Sequence, residues 1–179
     1  MNINTLLITP AYIKQYSTVS DNVDDCYLVP AIIDSQLIGL QPIIGTMLYD
    51  SLCEMVDTNT MTTECKALVD NFIAPYLLNK VQAYLLMNLY AKQRNAGVVT
   101  YLDTNQQNLD IASVKYIKAE FESKATFYAN RMVDYLHANS NLFPEYQDRR
   151  DCADLPSDAK DAYSQQLNLH RYYNRNKKI

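Results

Sequence analysis

Apolar residues recur every three or four positions along most of this 179-residue chain. That is the period of an α-helix with one buried face. Thr9-Pro10 opens the first helix. Threonine caps, and proline at the first helical position gives up no bond it needed. A short helix over 10–16 follows, then a polar break at 17–22. Asp21 is the candidate cap of a second helix, from about 23 to 38. Leu28, Ile32 or Ile33, Gln36 and Leu40 sit there at helical spacing. Pro30 predicts a kink or a late start. Gly39 and Pro42 read as the separation from a third helix over 43–56, with Ile44, Met47, Leu48, Leu52 and Met55 on one face. Thr62 or Thr63 caps the next, through Leu68 and Ile73, until Pro75 interrupts it. Leu77, Leu78, Val81, Tyr84, Leu85 and Leu89 then cover more than half the circumference of a helix over 76–94, the mark of a central helix.

The pattern changes after Arg94. Ala96-Gly97 breaks the helix, and Val98 through Leu102 is a β-favouring run before the turn-like Asp103-Thr104-Asn105. Asp110 then starts a long helix to about Asn139. Val114, Ile117, Phe121, Ala125, Tyr128, Met132 and Tyr135 mark its buried face, with no Gly or Pro between them. Thirty residues would reach about 45 Å, against a diameter of roughly 40 Å for a compact domain of this size. Phe143-Pro144-Glu145-Tyr146 packs back as an aromatic plug. The predicted fold is all-α: an elongated helical bundle with one long C-terminal helix and a small β-like hairpin excursion near 97–109. Its helical domain covers 1–146. An irregular acidic segment and a basic C-terminal arm fill 147–179.

Composition narrows the chemistry. Three glycines, where about 12 would be average, disfavour folds built on glycine turns and Gly-rich phosphate loops. Net charge is −4, yet residues 164–179 carry Arg171, Arg175, Lys177 and Lys178 and no acid. The tail is therefore +4 and residues 1–163 sum to −8. An acidic body is ill-suited to wrapping DNA, although the tail retains that capacity. The four cysteines form no CxxC pair and read as reduced, mostly buried thiols. The N-terminus lacks the basic and apolar regions of a leader. The most apolar run, 81–91, is too short to span a bilayer. The expectation is a soluble chain made in a cytoplasm, with no membrane contact.

Catalytic constellations are not visible. The two histidines are His137, at the end of the long helix, and His170, in the tail. Ser140 near His137 is sequence adjacency, not a triad. Asp148, Asp151, Asp154, Asp158 and Asp161 recur, but without the central glycine of a calcium loop and beside Arg149 and Arg150. They read as a solvated, mixed-charge segment. No metal, cofactor or enzymatic activity is expected. The 15 tyrosines fall mostly on helical apolar faces, which suits core and protein contact better than base stacking.

Several local strings follow an order and spacing of their own. They are Leu7-Ile8-Thr9-Pro10, Ile32-Ile33-Asp34-Ser35-Gln36, Leu40-Gln41-Pro42-Ile43-Ile44-Gly45, Leu48-Tyr49, Asn95-Ala96-Gly97-Val98-Val99, and Asn139 through Phe143-Pro144-Glu145-Tyr146. With them the chain resembles the phage head–tail connector (adaptor) family, in the form found in Bacteroides and crAss-like tailed phages. The resemblance implies a structural virion protein without catalytic residues. It would form a ring of about twelve copies beneath the portal, joining capsid to tail at the neck and lining the DNA channel. Its partners would be other copies of itself, the portal protein and further neck or tail proteins. DNA would pass without specific binding. Candidate interface residues are Val98, Val99, Tyr101, Leu102, Asn105 and Gln107 in the excursion, and Arg171, Tyr172, Tyr173, Arg175, Lys177 and Lys178 in the arm. The alternative is a small helical regulatory or nucleic-acid-binding protein that uses the basic tail.

Overall fold

A computed structural model describes residues 5–94, 97–100 and 110–147, and these are mostly helical. Helix α1 (Pro10–Tyr16) starts at Thr9, whose hydroxyl accepts a bond from the Tyr12 amide. α2 (Asp25–Asp34) begins two residues later than expected. Asp24, not Asp21, occupies the cap position, and its side chain makes no capping bond. α2 does not end near Ile38. It runs through a π-helical segment, Ser35–Leu40, into α3 (Gln41–Ile44). The true separator is Gly45, whose φ of 84° suits glycine. α4 (Thr46–Asp57) follows.

The same device recurs downstream. α5 (Thr63–Leu68), capped by Thr62, leads through a second π-helical segment, Val69–Ile73, into α6 (Ala74–Tyr90). Pro75 therefore does not interrupt this helix. Both π segments close two residues before a proline, Pro42 in one case and Pro75 in the other. At the closing residue the amide bonds five residues back, Gln41 to the Gln36 carbonyl and Ala74 to the Val69 carbonyl. A proline ring normally collides with the carbonyl four residues earlier. The wider π turn shifts that carbonyl, so the helix axis continues where a break was expected.

α6 ends at Tyr90, four residues before the predicted boundary. Strand β1 (Ala91–Arg94) continues from it and pairs antiparallel with β2 (Gly97–Thr100). Residues 101–109, which held most of the expected excursion, lie outside the described residues. α7 (Ile111–Ala138) is capped by Asp110, which accepts from the Ser113 amide, and at 28 residues reaches about 42 Å. α8 (Pro144–Gln147) packs on α4, with Phe143 and Tyr146 buried.

The core is a single cluster centred on α6. α2 and α7 both pack on α6. Leu28, Ile32, Leu40, Ile44, Leu52, Leu68, Ile73, Leu77, Val81, Met132 and Leu136 are all buried in the cluster. Gly39 brings the first π segment against α6: a Cβ there would lie 2.7 Å from the Tyr76 hydroxyl oxygen. Gly39→Ala should therefore cost about 1–3 kcal/mol of stability through overpacking. Tyr76→Phe removes the colliding oxygen and should restore part of the loss. Thermal melts of the two single variants and the double variant test this. A double variant no more stable than Gly39→Ala would refute the assignment.

Candidate interaction surface

The chain entering α1 is pinned by one side chain. Gln36 is 1% exposed and lies in the first π segment. Its Oε1 accepts from the Leu7 amide at 2.9 Å, and its Nε2 donates to the Thr5 carbonyl at 3.0 Å and to the Tyr49 hydroxyl at 3.1 Å. The amide thus pairs with residues 5 and 7 as a neighbouring β-strand would. Thr5 Oγ1 adds bonds to both carboxylate oxygens of Asp57, at 2.8 and 2.9 Å. The clamp seats Leu7 and Ile8 in the core.

Burial pushes the Tyr49 phenol up to about 12, against the lowering effect of its hydrogen bond with Gln36. Burial raises Tyr76 in the same direction. An unfolded tyrosine ionises near 10. Between about pH 10 and 12 the unfolded chain has therefore lost a proton that the folded chain retains, and stability falls as pH rises. Tyr49→Phe should make this alkaline loss shallower, read as Tm against pH. Gln36→Met leaves the Leu7 N–H and the Thr5 carbonyl buried without partners and should cost about 2–4 kcal/mol. Chemical denaturation measures it, and a change below about 0.5 kcal/mol would exclude the clamp.

The functional residues expected from sequence are not brought together among the described residues. Val98 and Val99 lie on β2, opposite Gln93 and Lys92. Tyr101, Leu102, Asn105 and Gln107 lie outside the described residues, as do Arg171, Tyr172, Tyr173, Arg175, Lys177 and Lys178. Of the described cysteines, Cys53 and Cys65 are buried and Cys26 is exposed, and all three are free thiols, in keeping with a mostly buried, reduced set. Burial raises the Cys53 thiol, which keeps it protonated and unreactive. His137 lies with its Nε2 3.4 Å from the Tyr146 hydroxyl, at the end of α7. Among the described residues no group of three His, Cys, Asp or Glu side chains could hold a metal ion.

What the surface does present is apolar. Ile38 is 64% exposed, Tyr116 75% and Phe127 62%, with Tyr16, Met47, Ile111 and Leu142 also exposed. Residues 25–44 form one helix long and apolar enough, by length and composition, to cross a membrane. That length was hidden in the sequence by the expected break at Gly39. Less than half of this helix's most apolar stretch is buried. Its inner face packs on α6, as a core helix does. Tyr84 on α6 lies near acids from both flanking helices. Burial first, then the charges of Asp34 and Glu122, hold its phenol above the ordinary range. Lys80 lies 5.4 Å from the centre of the Tyr84 ring, and Lys118 pairs with Glu122 at 3.6 Å. On the other side of α7, Phe72 stacks on Tyr135 at 4.3 Å and faces Arg131.

The sequence profile described as "Family of unknown function (DUF6712)" matches residues 40–155. No curated protein and no solved structure matches the chain.

Proposed function

We propose that this chain, which belongs to the DUF6712 family, is a structural, non-enzymatic connector subunit of a phage neck. About twelve copies would form a closed ring beneath the portal, joining capsid to tail around the DNA channel. The observation that carries the reading is the apolar surface. Large apolar side chains stand exposed on the outer sides of two helices that share α6 as their packing partner. A subunit repeated around an axis needs such surfaces, because each copy must be covered by its neighbours.

Other features agree with this reading. Three of the six strings that carry the resemblance meet at the Gln36 clamp. Leu7, Gln36 and Tyr49 belong to three of them, and hydrogen bonds join all three. In the ring the chain is an elongated bundle with α7 as its rod. The ribbon that continues from α6, with the rest of the excursion to 109, lies between subunits or faces the channel. The acidic body repels DNA and lets it slide. The arm over 169–179, with its four cations, docks on the portal or another neck protein.

Electron microscopy of the chain mixed with the portal protein of the same genome is the test. A ring stacked coaxially on the portal is the expected result. Well-assembled portals that carry no ring would overturn the reading. In that case the regulatory alternative predicts DNA binding that weakens steeply with salt and disappears on removal of residues 164–179.

A further inference from the structure

Helix α4 carries a polar atom without a partner. Asp50 Oδ1 is buried, and none of the described residues donates a hydrogen bond to it. Taking a carboxylate oxygen out of water unpaired costs more than burying a neutral acceptor. The residue as a whole is only partly buried. Rotation about χ2, a soft torsion in aspartate, therefore turns this oxygen toward a donor that arrives at the surface.

α4 itself has no such donor to give. It carries Asp50, Glu54 and Asp57 and no base. Lys14, Lys118 and Lys124 are engaged on other helices, with Asp25, Glu122 and Glu120. Two stretches outside the described residues join the molecule beside α4. Residues 1–4 precede Thr5, which Asp57 holds about two turns along the helix from Asp50. They are Met, Asn, Ile and Asn, with no cationic side chain. The other stretch follows α8, which packs on α4 with Tyr146 buried. After Gln147 come Asp148 and then Arg149-Arg150. Those arginines stand two and three residues beyond α8, a backbone reach of about 7–10 Å before their own side chains extend it. A guanidinium meets a carboxylate with paired N–H donors and stays charged.

We propose that the Arg149-Arg150 pair folds back on α4 and places a guanidinium on the Asp50 carboxylate. The contact supplies the missing donor and sets the acidic helix against the cations nearest to it in the chain. It also fixes where the basic arm leaves the body. Residues 151–168 separate this anchor from the arm, so the arm works within about 60 Å of α4. The anchor belongs to the single chain and does not rest on the connector reading.

The full-length chain is compared with Asp50→Ala, with Arg149→Met and Arg150→Met combined, and with all three changes together. Chemical denaturation and limited trypsin digestion read by mass spectrometry are the measurements. Alanine is a good helix former, so the α4 variant should fold. The arginine replacements should lower the folding constant about tenfold when Asp50 is present and less than about twofold beside Asp50→Ala. Asp50→Ala should speed trypsin cleavage after Arg149 and Arg150 about tenfold, by freeing the segment locally, and leave cleavage after Arg171 unchanged. If Asp50 has no partner, Asp50→Ala removes a buried unpaired charge and raises stability, which overturns the proposal. Equal losses from the arginine replacements in both backgrounds overturn it too, as does unchanged cleavage at the arginine pair. Removal of residues 1–4 tests the other stretch. If that removal abolishes the effect of Asp50→Ala and the arginine replacements do not, the partner lies in residues 1–4 and the arginine anchor falls.

Discussion

The buried amide of Gln36 is the constraint on which the arrangement of the N-terminal half depends. Its oxygen and both of its N–H groups are engaged, by backbone atoms of residues 5 and 7 and by Tyr49. A polar group this deep is tolerated only when its hydrogen-bonding capacity is met. Meeting it ties together three pieces of chain distant in sequence: the segment before α1, the first π segment and α4. The Thr5–Asp57 bonds extend the same tie to the end of α4. Leu7 and Ile8 are core residues because this polar contact sets their depth.

The second determinant is the pair of π turns. Without them Pro42 and Pro75 would break the two helices that flank and form the centre of the molecule. With them, the helix over 25–44 stays continuous and α6 remains the shared partner of α2 and α7. The Gly39 contact with Tyr76 shows how closely the first π segment approaches α6. Continuity has a further effect. It keeps the exposed Cys26, Pro30, Asp34, Ile38 and Pro42 on one side over about four turns, which two separate short helices would not do.

Much of the helical layout was legible from residue spacing. The face predicted for the long helix is buried or half-buried at every position from Val114 to Tyr135, and Thr9, Thr62 and Asp110 cap where capping chemistry expects them. The breaks misread at Gly39 and Pro75 share one cause. Proline and glycine are read as local breakers, whereas their effect here is absorbed by a turn whose hydrogen bonds skip one residue further. No single-residue propensity reports that. The surface was harder to read for a different reason. Residues 25–44 are apolar on nearly every side, so spacing left Ile32 and Ile33 as alternatives and gave no sign that Ile38 would face outward. Gln36 was placed by spacing on the inner face, but its role as a clamp depends on residues 5, 7 and 49, which only the fold brings near.

A π turn is an α-helix with one residue too many. In coding terms that is the equivalent of a single extra codon, which the wider turn absorbs. Loss of one residue between 35 and 40 would return the segment to an ordinary α-helix with the turns on either side still in register. Pro42 would then meet the carbonyl it now avoids. The first π segment is thus a place where single-residue deletions should be purged, while the polar loop between α4 and α5 should accept them freely. The history of insertions and deletions in this lineage would be written around these two helices rather than in them.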